Sequence, residues 1–503
     1  MSSVLNSAIA FDARDGRAVD VCLVAEGCYP HVAGGVSSWI DWLIRALPEL
    51  SFAVVAIVAG DEERTPKYRR PDNLLRLDEL RLGAPPPRRA REGRPDPDAL
   101  AGTLSDFLRH GGLESFYRLL SLVRGREAGE ILAGEYGWRV LRRAYEEMMP
   151  HASFAHFYWA WRSLVGGLVA ALTAPLPPAR VYHSVSTGYA GLIAARAAVE
   201  GRPAVLTEHG IYTNERRIEV LMADWIVDTV DKGLSLGDSR PDLRDLWVTA
   251  FESYARCCYA ACARTTTLFR ANQELQCALG APGDRMSVIP NGIDLARFEG
   301  LPRLGREDRP TFALIGRVVP IKDVKTFVAA AALIRERIPN AVGLVLGPLD
   351  EDRGYAAQCE ALAAELGLGG GDGLRFLGRV DVREWLPRID VVVLTSLSEA
   401  QPLTLLEAGA AGIPCVATDV GSCREILEGD EEEEPAIGAG GFVAPLGAPG
   451  EIADRCVALL GDPDLRRTMG ERLRRRVRLL YGSDRSRDAY RALYAPLLER
   501  EEG

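Results

Sequence analysis

From Asp20 onward the chain repeats one pattern: a short apolar run, a loop, and a stretch with helical periodicity. Val21–Ala25 is such a run. A loop holding Gly34 and Gly35 follows, and then Val36, Trp39, Ile40, Leu43, Ile44 and Leu47 share one helical face. Ala53–Ala59 reads as the next strand. Continuous apolar runs that alternate with helices belong to strands buried on both faces, which dictates a parallel sheet covered by helices on each side. The alternation resumes with a strand at Arg180–His183, a helix from about Gly188 to Val199, and strands at Ala204–Thr207, Thr265–Phe269 and Met286–Ile289. A second block begins near Thr311, with strands at Thr311–Ile315, Val342–Leu346, Leu374–Leu377, Val391–Leu394 and Pro414–Ala417. The polar, Pro-containing stretch Leu301–Pro310 between the blocks reads as a linker. The pattern therefore predicts an α/β protein of two Rossmann-like domains with parallel sheets facing a cleft, residues 1–305 and 306–483.

Two insertions interrupt the first block, at about 61–174 and 214–263. Asp61–Pro97 is rich in Arg, Pro and charge and reads as an irregular excursion. Asp98–Ala174 and Asn214–Ala263 read as helical. The acidic run Asp430–Glu434 reads as a solvated loop. A net charge of −10 argues against a nucleic-acid binder, because neutralising phosphates requires a basic face. Ten cysteines spread over 503 residues suit reduced thiols of a cytoplasmic protein. Met1–Arg17 lacks the basic-then-apolar order of a signal peptide, and the apolar stretch Leu164–Ala174 is too short to span a bilayer. Any work at a membrane would thus require recruitment by partners.

Several residues are placed to carry chemistry. In S-L-S-E-A-Q-P-L-T-L-L-E, Glu399 falls in the loop after the strand Val391–Leu394, where open α/β sheets bind ligands, and Glu407 falls on the following helix. Pro402 fits the first helical position. By themselves the two carboxylates fit a grip on an extended polar ligand as well as they fit exposed surface charge. Gly34 and Gly35 precede a helix, where free N–H groups and a bare backbone allow close approach of an anion, although a full dinucleotide fingerprint is absent. Arg317 and Lys322, in I-G-R-V-V-P-I-K-D, follow the first strand of the second block and could neutralise a diphosphate without a metal. His209, in L-T-E-H-G-I-Y, could hydrogen-bond a substrate or act as an acid or base, with His183, Glu208 and Tyr212 as weaker candidates. Cys257, Cys258 and Cys262 lie in a helical apolar stretch and read as buried thiols rather than a zinc site. The two D-P-D strings, Asp96–Asp98 and Asp462–Asp464, read as helix caps. No phosphate loop ending in Gly-Lys-Ser/Thr and no nucleophile elbow occurs.

Together, I-P-N-G-I-D from Ile289, I-G-R-V-V-P-I-K-D from Ile315, and the Glu pair resemble the nucleotide-sugar domain of retaining family 4 glycosyltransferases of GT-B fold. The resemblance runs from about Asp20 to Ala492. The strings D-V-C-L-V-A-E-G-C-Y-P-H-V-A-G-G-V-S-S-W, H-S-V-S-T-G-Y-A-G-L and L-T-E-H-G-I-Y-T-N-E-R further resemble the glycosyltransferases of Pel-type exopolysaccharide systems. The resemblance implies that Glu407 holds the ribose hydroxyls of a UDP-sugar and that Glu399 contacts the donor sugar. Arg317 and Lys322, with backbone N–H groups of Leu403 and Thr404, would hold the diphosphate. Gly34 and Gly35 would approach the same group, Asn291 would add a donor contact, and His209 would contact the sugar. The last helix, within residues 484–503, would return to the first domain.

What the resemblance implies about activity is a metal-independent hexosyltransferase without cofactor. It would move a hexose or N-acetylhexosamine from a UDP-sugar to a growing exopolysaccharide, either through a same-face attack or through a covalent intermediate on Glu399. It would serve biofilm polysaccharide synthesis, with a polysaccharide acceptor and partner proteins of an inner-membrane export complex docking on the insertions. A UDP-sugar epimerase or hydrolase, and a catalytically silent scaffold, are the competing expectations. Five intact polar residues (Glu399, Glu407, Arg317, Lys322 and His209) argue against the scaffold.

Overall fold

A computed structural model describes residues 18–60, 64–82, 94–223, 241–302, 309–369, 373–429 and 436–499. It divides into two compact units. One comprises residues up to Thr267, Asn272–Val288 and the chain from Tyr490; the other comprises Leu268–Ala271 and Ile289–Ala489. The acidic run Asp430–Glu434 lies outside the described residues.

Among the described residues, the first unit holds one parallel sheet of β1 (Val19–Glu26), β2 (Phe52–Ala59), β3 (Leu74–Leu82), β4 (Ala179–Ser184), β5 (Ala204–Glu208), β6 (Arg264–Thr267) and β7 (Met286–Val288). Their order is β3-β2-β1-β4-β5-β6-β7, so the chain winds outward in one direction from β1 and in the other from β4. β1 and β2, which read as unbroken apolar runs, are buried along nearly their whole length. One difference from the sequence reading is β3, which lies inside the stretch that composition marks as irregular. Its sequence, L-L-R-L-D-E-L-R-L, alternates leucine with charge because it closes an edge of the sheet. There Asp78 is buried against Arg76, Nε to Oδ2 2.7 Å.

The first insertion forms a helical layer of Pro97–His110, Leu113–Val123, Ala128–Leu132, Gly134–Met148 and Phe154–Thr173, sharing one core with the sheet. Asp96 caps the first of these by accepting from Ala99 N at 3.1 Å. Helix Leu243–Ala261, from the second insertion, packs into the same layer. Ser253 Oγ donates to Leu108 O at 3.1 Å, and Gly111 (φ +66°) permits the approach, since a Cβ there would lie 2.5 Å from Ser253 O. Cys257, Cys258 and Cys262 are wholly buried on that helix and its end, and burial pushes their thiols up, Cys262 to about 12. Among the described residues no helix is long and apolar enough to cross a membrane.

The second unit is smaller and regular. β8 (Thr311–Ile315), β9 (Val342–Leu346), β10 (Leu374–Gly378), β11 (Val391–Leu394), β12 (Cys415–Thr418) and β13 (Gly441–Ala444) form a parallel sheet of order β10-β9-β8-β11-β12-β13. The strand order reverses between β8 and β11. A crevice at the carboxyl ends of such a pair is where open α/β sheets place ligands. β13, only Gly-Phe-Val-Ala, has too few residues to show a period and is absent from the sequence reading. Helix Pro463–Leu480, capped by Asp462 as expected, buries the guanidinium of Arg476. That group donates to the carbonyls of Ile426, Leu427, Glu428 and Gly438 at 2.9–3.4 Å, satisfying the end of helix Cys423–Glu428 and the loop after it. The final helix, Ser483–Leu498, belongs to the first unit from Tyr490 onward. There Tyr494 hydrogen-bonds His183 and Arg491 pairs with Glu49 at 2.7 Å.

Candidate functional site

In the second unit the loops after β8 and β11 are stitched together. Lys322 ends a tight turn, Pro320–Lys322, and Asp323 follows at φ +43°. A side chain rarely adopts that conformation, and Asp tolerates it best when its carboxylate bonds locally. Asp323 does so by accepting from Thr326 Oγ1 at 2.6 Å and capping helix Val324–Arg337. From the other loop, Thr395 Oγ1 lies 2.9 Å from the carbonyls of both Lys322 and Asp323, and Leu397 N donates to Ile321 O at 2.9 Å. The strained turn is thereby fixed from both sides.

This arrangement brings Lys322 and Glu399 together. Lys322 Nζ pairs with Glu399 Oε1, and Ser396 Oγ donates to the same oxygen at 2.7 Å. Behind them, Gly421 (φ +53°) lies so close to the carbonyls of Glu399 and Ala400 that a Cβ would collide with both. Gln401 Oε1 accepts from Asn291 N at 2.6 Å, while Gln401 Nε2 and Asn291 Oδ1 are buried with no partner. Pro402 precedes helix Leu403–Ala410 as its cap rather than opening it, one residue from the expected position. No side chain caps this helix, so the amides of its first turn, Leu403 and Thr404 among them, face outward as donors.

Glu407 lies one turn further on, half-buried, its carboxyl with no hydrogen-bond partner among the described residues. Desolvation pushes its carboxyl up to about 7, against a smaller opposing pull from Arg297. A carboxylate partly withdrawn from water without donors is unfavourable unless a ligand supplies them. Arg317 behaves differently: its side chain is 56% exposed and pairs with Glu351 at 2.9 Å, not with the Lys322–Glu399 cluster.

In the first unit, Gly34 caps helix Gly35–Ala46 with an extended backbone, and a Cβ on either glycine would meet no protein atom within 4 Å. Neither backbone conformation nor internal packing accounts for the pair. One turn along, Trp39 packs edge-on to His209, ring centroids 4.7 Å apart, and to His183 and Tyr490. Burial lowers His209 to about 4, so its imidazole is neutral, and Nε2 is buried without a partner. The weaker candidates are spoken for. His183, lowered by burial to about 3, bonds Tyr494 OH at 2.5 Å and Thr207 Oγ1 at 2.7 Å. Glu208 accepts from Tyr259, from Gln276 Nε2 at 2.9 Å, and from Thr187 Oγ1 and Tyr212 N at 3.3 Å. Tyr212 OH donates to Glu26 at 2.8 Å. The sequence reading passed over Ser396, Gln401, Asp323 and Arg297. Only Gln401, a polar residue directly before the Pro that caps an apolar helix, carried a local signal.

A family model described as a domain of unknown function, DUF3492, matches residues 19–284, more than half of the chain. The chain belongs to this family. Beyond that segment, residues 309–462 match the model described as glycosyl transferases group 1. A D-inositol 3-phosphate glycosyltransferase from Kribbella flavida is 30% identical over 213 residues, 39% of this chain and 48% of that relative. The DUF3492 chain thus spans about half the length of the curated relatives it matches. Among solved structures, sucrose-phosphate synthase from Thermosynechococcus elongatus superposes with a TM-score of 0.57 at 17% identity, covering 95% of this chain and 99% of that one. Anabaena Alr3699/HepE, in complex with UDP and glucose, gives 0.55 at 14% identity, covering 94% and 99%. The DUF3492 chain has the fold of the GT-B glycosyltransferases: two α/β domains, each built on a parallel sheet.

Proposed function

We propose that this chain is a retaining glycosyltransferase whose second unit grips the UDP moiety of a sugar donor. The observation that carries the reading is Glu407: a half-buried, unbonded carboxyl on a helix whose uncapped N-terminus lies beside the Lys322–Glu399–Ser396 cluster. Ribose hydroxyls are the donors such a carboxylate lacks. The diphosphate takes the first-turn amides of Leu403 and Thr404 together with Lys322, with Arg317 closing from the exposed side. When Lys322 turns to phosphate, Glu399 is released to hydrogen-bond sugar hydroxyls, with Ser396 still holding one oxygen. Asn291 and Gln401 shape the floor.

In the transfer, the bond from the anomeric carbon to the diphosphate oxygen breaks with its electron pair leaving on the diphosphate. The acceptor hydroxyl oxygen bonds to the same face, and its proton passes to the departing phosphate oxygen. Lys322 and the helix amides oppose the charge that grows there, so the reaction needs no added metal. On the first unit, His209 offers a neutral imidazole with a free Nε2 for a sugar hydroxyl, and Gly34–Gly35 leaves room for close approach. The UDP bound in Alr3699/HepE supports the donor class. We assign the acceptor to a growing Pel-type exopolysaccharide and the sugar to a hexose or N-acetylhexosamine. Export-complex proteins docking at the helical insertions contribute to recruitment at the inner membrane.

The test is calorimetric titration with UDP-, GDP- and ADP-sugars, alongside Glu407→Ala, followed by product analysis with and without polysaccharide acceptor. UDP-sugar binding that the variant loses, and turnover that needs acceptor and survives chelators, are expected. Failure of every uridine compound to bind would sink the proposal, and acceptor-free conversion of the sugar would make the chain an epimerase or hydrolase.

A further inference from the structure

Wholly within the first unit, the helical layer encloses a cavity of about 680 Å³ between helices Gly134–Met148 and Phe154–Thr173. Nothing in the transfer reaction uses it. Its walls are aromatic and aliphatic, and Trp138 and Trp159 at its border are 50% and 61% exposed. Arg162 lies at the same border, its Nη1 donating to Tyr158 OH at 3.1 Å and its guanidinium 5.7 Å from the Trp159 ring centre. Arg162 has no carboxylate partner among the described residues, and helix Phe154–Thr173 contains no acidic residue. Gly166 lies on the lining, and a Cβ there would meet nothing within 4 Å.

The chemistry of the lining selects its occupant. Among the described residues, no carboxylate or carboxamide side chain faces the cavity. An oligosaccharide buried there would leave most hydroxyls unpaired, at a cost of about 1–3 kcal/mol each. A hydrocarbon chain has no such demand, and a volume of this size lies within the usual range for a ligand pocket. Exposed tryptophans beside one uncompensated arginine are the side chains that settle at a membrane interface, rings at headgroup depth and cation toward anionic lipid. We propose that this cavity takes an acyl chain of an anionic bilayer phospholipid, with Arg162 at its phosphate, and so attaches the helical layer directly to a membrane surface. The net charge of −10 opposes approach to an anionic bilayer, so the attachment is weak and reversible.

The test is flotation of the full chain with vesicles of phosphatidylcholine alone or mixed equally with phosphatidylglycerol. Gly166→Leu projects a branched side chain into the cavity from a position whose Cβ meets nothing within 4 Å, and it replaces a helical glycine by a better helix former, so it keeps the fold. Arg162→Gln removes the cation. Wild-type binding confined to the anionic vesicles, with each variant at least about tenfold weaker and its melting temperature held, is expected. Equal binding by wild type and Gly166→Leu would place the attachment elsewhere, and equal binding to neutral vesicles would remove Arg162 from it. No binding to either vesicle, with saturable binding of farnesyl phosphate or of a sugar polymer instead, would overturn the proposal.

Discussion

At the carboxyl ends of their sheets, the two units bury polar groups on opposite terms. In the first, Glu208 and His183 are fully enclosed and hydrogen-bonded: Tyr259, Gln276, Thr187 and the Tyr212 amide serve the carboxyl, Tyr494 and Thr207 the ring. In the second, Gln401 Nε2 and Asn291 Oδ1 are buried without partners, and the half-buried Glu407 carboxyl has none either. A satisfied buried group holds a fold together, whereas an unsatisfied one beside free helix amides marks where a ligand completes the structure. In the first unit His209 Nε2 is unpartnered against Trp39, and Thr213 Oγ1 and Gln276 Oε1 are also buried without partners.

The contrast is most easily broken by exchanging its terms. Glu208→Ala would orphan several buried donors at once and should destabilise the first unit by about 4 kcal/mol, read by urea unfolding. Ligand would not restore it. Arg476→Met, which removes donors to four carbonyls in the second unit, should cost about 3 kcal/mol by the same measurement. Glu407→Ala should weaken UDP binding by about 2 kcal/mol, roughly thirtyfold, by calorimetry, and it should leave unfolding at neutral pH unchanged or slightly improved. If Glu407→Ala instead unfolded the protein, the carboxyl would belong with Glu208 as a structural group. Gln401→Ala is the mildest, about 1 kcal/mol in UDP affinity through loss of the Asn291 anchor.

The pH dependence follows from the same groups. Glu407 is raised from 4.5 to about 7, so the folded state holds its proton where the unfolded chain has lost it. Its contribution is intact below about 4.5 and lost as pH rises to about 7. His183 and His209 have the opposite sign. Both are lowered from 6.5, to about 3 and about 4, so their contribution is present above 6.5 and disappears as pH falls. Thermal scans of Glu407→Gln should therefore show a shallower decline between pH 5 and 7 than the wild type, the remainder belonging to Glu26, Glu208 and Glu215, which burial also raises, and should keep its acid limb.

The fold was legible wherever burial is two-sided. β1, β8 and β11 are unbroken apolar runs because helices cover both faces, whereas β3 carries charge because it is an edge and β13 is too short to show a period. The candidate site was legible in residue types but not in pairings. Glu399 and Lys322 stand 77 positions apart, and Gln401 and Asn291 stand 110 apart. Local periodicity says nothing about which loops a sheet order brings together. Nor could it show that Arg317 would turn to Glu351, or that the neighbours of His183 and Glu208 leave them no free valence.

The central claim is that Glu407 awaits ribose hydroxyls. Donors to its oxygens must favour the ionised form, so UDP binding at pH 7 should expel roughly half a proton, since the group is near its midpoint there. Calorimetric titration of UDP in two buffers of different ionisation enthalpy measures this directly. The account predicts proton release in the wild type that vanishes in Glu407→Gln. UDP binding with no proton release, or with the same release in both proteins, would contradict it.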